Sequence, residues 1–158
     1  METRNLLGRL VAAGASRDVI EPFTGNVLYA LPTSTETDVD SAFNRAQAAQ
    51  AGWSAMSLSS RCAVMLRFHD LLLANRHEGL DLVQRETGKA RKDANEEVLD
   101  VCITARHYAR DARRLLRSRR HRGAFPGLVG VTELRVPKGV VGVISPWNYP
   151  VTLAASDA

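Results

Sequence analysis

The sequence contains only two cysteines, Cys62 and Cys102, far apart and without close partner spacing. They make neither a disulfide framework nor a zinc signature, so each reads as a small apolar residue or an inert thiol. Long apolar runs are also missing. No stretch approaches the roughly 20 apolar residues that a membrane-spanning helix needs. No G-x-G-x-x-G element, internal repeat or low-complexity segment occurs. The four histidines, His69, His77, His107 and His121, form no metal set. Cys62 and His69 could share a helical face, but two ligands do not make a zinc site. The Gly88-Lys89 pair is not a phosphate loop, because that motif needs a glycine five positions earlier and Ser or Thr after the lysine. Val83 and Ala90 occupy those places.

What is present is an ordinary globular composition. The chain has 158 residues, enough for one domain with a real core, and its 45% apolar and 24% charged shares exclude a disordered chain. The N-terminal stretch up to Ala15 resembles a signal peptide faintly, but Glu2 spoils the basic start and Arg9 interrupts the apolar region, so a cytoplasmic chain is expected. Charge is uneven. Residues 106–122 hold eight arginines and one acid, a segment of +7 that leaves −3 for the rest of a chain whose net charge is +4. With only Tyr108 and Phe125 nearby and no binding motif, this segment is read as a solvated helix face and loop. Nucleic-acid binding is not expected.

Periodicity outlines the elements. Thr24-Gly25-Asn26 supplies a turn feeding a short strand that Pro32 ends. Thr35 and Asp38 resemble a capping box, and Val39, Ala42, Phe43, Ala46, Ala49 and Trp53 recur as one apolar stripe expected to face a core. A second helix is expected from Ser59 or Ser60, carrying Val64, Met65, Phe68, Leu71 and Leu72. A break near 75–77 precedes Leu80, Leu82 and Val83, and Gly88 suits the left-handed position after a helix end. A long helix then fits Ala94, Val98, Val101, Cys102, Ala105, Tyr108, Ala112 and Leu115, with acids early and arginines late. Past a Pro126-Gly127 turn, residues 128–136 read as strand-like. Val140 to Ile144 is so apolar that it reads as a strand covered on both faces of a parallel sheet.

Four blocks, in order, carry a family resemblance. They are Glu21-Pro22-Phe23-Thr24-Gly25, residues 38–53, Arg85-Glu86-Thr87-Gly88-Lys89, and residues 137–150, which include Ser145-Pro146-Trp147-Asn148-Tyr149-Pro150. From about residue 21 to the end, the chain resembles the N-terminal part of an NAD(P)-dependent aldehyde dehydrogenase. In finer wording, through Ser156-Asp157, it resembles a bacterial succinate-semialdehyde dehydrogenase. The resemblance implies an α/β fold made of a helix-rich segment, arm strands and the first strand of a parallel dinucleotide-binding sheet. It divides the chain into a variable leader (1–20), a helical part of the cofactor domain (21–122), an oligomerisation arm (123–137) and the start of the parallel sheet (138–158).

The implied activity is oxidation of an aldehyde to the acid with NADP or NAD, through a thiohemiacetal on a cysteine. The resemblance puts that cysteine, the general-base glutamate and the nucleotide loop beyond Ala158. It therefore implies a fragment inactive by itself, from a homo-oligomeric enzyme. It makes Asn148 the catalytic donor to the developing oxyanion, a role that suits an amide neutral at every working pH. It places Ile144, Ser145, Pro146, Trp147 and Asn148 along the cofactor cleft, and assigns no metal. Other readings of these residues stay open: Asn148 as a capping or turn residue, Trp147 as core, and Ile144 and Ser145 as strand-end packing. A non-catalytic remnant or interaction module, associating through exposed strand edges, is the alternative for the whole chain.

Overall fold

The computed structural model describes residues 10–125 and 127–158. Most of the leader's signal-like stretch, and Pro126 of the expected turn, lie outside the described residues.

The chain begins with an antiparallel pair. Strand β1 (Ser16–Ile20) runs against β2 (Val27–Pro32), from Ser16 opposite Pro32 to Ile20 opposite Val27, with a bulge between Val19 and Ile20. Residues 16–20, expected in a variable leader, are thus part of a sheet. The turn between the strands closes as its chemistry demands: Gly25 has φ 71° and its N–H donates to the Glu21 carbonyl at 2.9 Å.

Helix α1 (Glu36–Ala55) starts at the capping box read from the sequence. The Thr35 hydroxyl accepts from the Asp38 N–H, and the Asp38 carboxylate accepts from the Thr35 N–H at 2.8 Å. The stripe on α1 does not face a core, however. No α1 side chain is buried; Val39 is 60% exposed and Phe43 52%. The 3.6-residue period makes a stripe, but only another element can cover it, and α1 touches the others only marginally.

Helix α2 (Leu58–Ala74) starts slightly before the expected serines. Ser57 is its cap, accepting from the Ser60 N–H at 3.1 Å. The break falls at Asn75, and α3 (Arg76–Thr87) ends at Gly88 with φ 73°. Helix α4 (Arg91–Leu115) is the centre of the molecule. It buries Ala94, Glu97, Val98, Val101, Cys102, Ala105 and Ala109 and packs against α2, α3 and the terminal α5 (Pro150–Asp157). Leu80 and Val83 of α3 join Ala94 and Val98 in the tightest cluster, with Leu72 and Val151 packed on it.

Two expectations are corrected after α4. Part of the arginine-rich segment is a strand: β3 (Arg119–Arg122) pairs antiparallel with β4 (Gly130–Glu133), through a turn in which Gly127 has φ 87°. Cross-strand pairing absorbs the charge, because Arg119 stands opposite Glu133 and the His121 ring bonds the Glu133 carboxylate at 3.0 Å. The apolar run 140–144 is not a strand. Both sheets among the described residues are two-stranded and antiparallel. A parallel strand needs a neighbour's backbone donors and acceptors, and residues 140–144 have none beside them.

Candidate functional site

The candidate site is the loop from Ile144 to Tyr149 and the helix it enters. Ile144 is fully exposed, Trp147 is 86% exposed, Pro146 and Asn148 are exposed, and Ser145 is half-buried. The residues read from the sequence as one group are therefore brought together on one open loop. Trp147 is not a core residue.

The start of α5 is unusual. Its N-cap is Tyr149, whose side chain makes no capping hydrogen bond, and Pro150 at the first helical position has no N–H to satisfy. The Leu153 N–H already bonds the Tyr149 carbonyl at 3.1 Å. That leaves the N–H groups of Val151 and Thr152. Both donate to one oxygen, Oε1 of Glu97, at 2.6 and 3.3 Å. A carboxylate from α4 thus does what a local Ser, Thr, Asp or Asn usually does, and it places negative charge at the positive end of a helix. The Thr152 hydroxyl closes the joint by donating to the Glu97 backbone carbonyl at 2.9 Å.

Glu97 is 1% exposed, so its charge needs a partner. Lys89 supplies it: Nζ donates to Oε2 of Glu97 at 2.6 Å and to the backbone carbonyl of Asn148 at 2.8 Å. The same ammonium lies 4.6 Å from the centre of the Tyr149 ring, within cation–π range. Both oxygens of Glu97 are therefore used, and the carbonyl of residue 148 is pinned. The Asn148 carboxamide itself makes no hydrogen bond among the described residues. Asn148 is not the capping residue of α5. That role belongs to Tyr149 in sequence and to Glu97 in chemistry.

Sequence reasoning does not single out Lys89 and Glu97 as site residues. The available signal is a glutamate on the apolar face of α4, between Ala94 and Val98, together with a lysine just after a left-handed glycine.

Two of the sequence blocks meet in space around the Lys89 turn. The Glu21 carboxylate accepts from Arg85 Nε at 3.0 Å and from the Thr24 hydroxyl at 2.7 Å, and these bonds, that of Thr24 foremost, hold it below the usual carboxylate range. The Tyr29 hydroxyl donates to Glu86. Burial, with the Glu86 carboxylate beside it, pushes the Tyr29 phenol up. A Cβ on Gly88 would lie 3.3 Å from Pro22 Cβ, so the first block packs directly on the helix end. The helix end that leads into Lys89 is thereby held against the β1–β2 pair and its turn.

The cysteines stand apart from this loop. Cys62 is half-buried on α2, and Cys102 is buried on α4, where burial pushes its thiol up. Among the described residues no three or more His, Cys, Asp or Glu residues form a group that could hold a metal ion. No helix there is long and apolar enough to cross a membrane.

Comparison with known proteins places this architecture. A sequence model described as the aldehyde dehydrogenase family matches residues 11–158. The provisionally named succinate-semialdehyde dehydrogenase (NADP(+)) of Mycolicibacterium smegmatis is 49% identical over 146 residues, 92% of this chain and 28% of that protein. A crystal structure of an NAD-dependent benzaldehyde dehydrogenase from Corynebacterium glutamicum superposes with a TM-score of 0.81 at 31% identity, covering 94% of this chain and 32% of the other. The NADP-dependent glyceraldehyde-3-phosphate dehydrogenase from Bacillus halodurans, solved with NADP, gives a TM-score of 0.82 at 32% identity, covering 90% of this chain and 30% of that one. The chain spans less than a third of the length of these relatives. With the match running through nearly every described residue, the chain belongs to the aldehyde dehydrogenase family.

Proposed function

We propose that these residues form the oxyanion-binding side of a cytoplasmic enzyme that oxidises an aldehyde, succinate semialdehyde as first choice, to the carboxylic acid with NADP or NAD. The substrate and cofactor follow the names of the relatives, whose cofactors include both NADP and NAD. The observation that supports the reading is that the Asn148 carbonyl is pinned while its carboxamide is exposed and unengaged. A neutral amide held this way can donate to a carbonyl oxygen as it becomes negative, without any proton changing hands.

The cofactor's contribution, when bound, is to accept hydride. The exposed apolar edges of Ile144 and Trp147, with Ser145 beside them, suit one wall of a dinucleotide groove, and these residues with Pro146 would hold it. Cys102 is buried, with its thiol pushed up by that burial, and Cys62 is half-buried on α2, apart from the Asn148 loop. Neither is therefore assigned as the thiohemiacetal cysteine, which this reading expects from the rest of a full-length enzyme. The chain by itself is then inactive. In the assembled enzyme, the segment 123–137, which holds β4, serves as the arm of a homo-oligomer.

The test is Asn148→Ala in a full-length dehydrogenase carrying this segment, assayed with succinate semialdehyde and either nucleotide. The expected loss in kcat is about 10² to 10³. A normal rate removes Asn148 from catalysis, and turnover by the 158-residue chain alone removes the assignment of the nucleophile. A second reading, a non-catalytic interaction module, is favoured by the uncovered apolar side chains of α1 and of residues 141–147. A clean monomer by light scattering, with cooperative melting, would end it.

A further inference from the structure

We propose that Lys89 and Glu97 are positioning residues for Asn148: one buried ion pair fixes the backbone on both sides of the amide donor. The proposal rests on Asn148 being the oxyanion donor and names what orients it.

The geometry is specific. Lys89 holds the carbonyl of residue 148, and Glu97 holds the N–H groups of residues 151 and 152. The Lys89–Glu97 contact at 2.6 Å joins these anchors, so Asn148 and Tyr149 are strung between two fixed points. The pair is itself shielded, with the Glu97 side chain fully buried and that of Lys89 14% exposed. Screening by water and salt is therefore small, and the bonds are of the charge-assisted kind. Neither residue offers a side-chain atom to a substrate: both oxygens of Glu97 and the ammonium of Lys89 are committed to this joint. Their influence on chemistry passes through where the Asn148 amide stands. An oxyanion donor is effective only at roughly 2.7–3.1 Å from the developing charge, so a loop shift of about 1 Å carries a large cost in rate.

The competing explanation is that the pair merely stabilises the packing of α4 on α5. A double-mutant cycle separates the two. In a full-length dehydrogenase carrying this segment, Lys89→Met and Glu97→Gln, which keep most of the side-chain volume, are each combined with Asn148→Ala. Positioning predicts a loss of about tenfold or more in kcat with a smaller change in KM for each single variant. In the Asn148→Ala background the same substitutions should change kcat by less than about twofold, because the amide they orient is gone. Equal factors in both backgrounds, or unchanged kcat in the single variants, would overturn the proposal. Because misfolding can also lower kcat, hydrogen exchange at Val151 and Thr152 is read on the same protein. Faster exchange at these two amides, with the α4 amides still protected, is expected for Glu97→Gln, and unchanged exchange there also overturns the proposal. An unimpaired Asn148→Ala enzyme would instead sink the reading of Asn148, whatever the pair does.

Discussion

Helices α1 and α4 are both long and both carry apolar residues at helical spacing, yet α4 buries seven side chains and α1 none. The difference lies in their neighbours. Helix α4 is sandwiched by α2, α3 and α5, and its apolar face meets other apolar faces. Helix α1 has a well-formed cap and a stripe of its own, but little rests on it. A hydrophobic period therefore says which face would be buried, and contact with another element says whether it is. The candidate loop hangs from the buried helix: Glu97, on the face of α4 shared with Ala94 and Val98, reaches across to α5 and anchors the Asn148 turn.

The contrast between the two helices can be tested first by truncating one apolar side chain on each side of it. Leu80, packed against the α4 face at 3% exposure, should cost about 3 kcal/mol on Leu80→Ala, read as a drop in urea midpoint. Phe43→Ala on α1 should fall within about 0.5 kcal/mol. Equal costs would mean that the α1 stripe is covered in solution. Gly88→Ala comes next, expected to cost about 1–2 kcal/mol, because alanine meets both the left-handed backbone and the nearby Pro22 ring. The same substitution should disturb Lys89, so increased exchange at Val151 and Thr152 should accompany it.

The smallest effect concerns the α1 cap. Asp38 lies below its usual range because it accepts from the Thr35 N–H, then from the Ala13 N–H, and from the Thr35 hydroxyl. A depressed carboxylate stabilises above its unfolded pKa of about 4 and loses that contribution as pH falls through its lowered native value. An acid titration of helicity should show a small loss below pH about 4 that Asp38→Asn removes. If the loss persists in Asp38→Asn, it comes from carboxylates elsewhere.

Local chemistry is readable where it is decided locally. Thr35 and Asp38 meet within three residues, Gly88 takes the left-handed backbone because nothing else does so cheaply, and Asn75 breaks a helix in place. The 145–150 block is readable as a unit because its prolines and Asn148 are adjacent. The joint that holds it is not, since Lys89 and Glu97 lie 59 and 54 residues from the backbone groups they bind. The arginine-rich strand is hidden for a related reason: charge on both faces of Arg119–Arg122 gives no period, and pairing with β4 makes it a strand.

By itself, then, the sequence determined helices α1 to α4 in outline, the α1 capping box, the Gly88 helix end, the family and the loop that carries Asn148, because each is written in nearby residues. Only the tertiary structure decided which apolar stripe is buried, that residues 16–20 and 119–122 are strands while 140–144 is not, and that an α4 glutamate caps α5. The physical reason is common to all of these: burial, strand pairing and a remote cap each need a partner that the chain brings close only on folding.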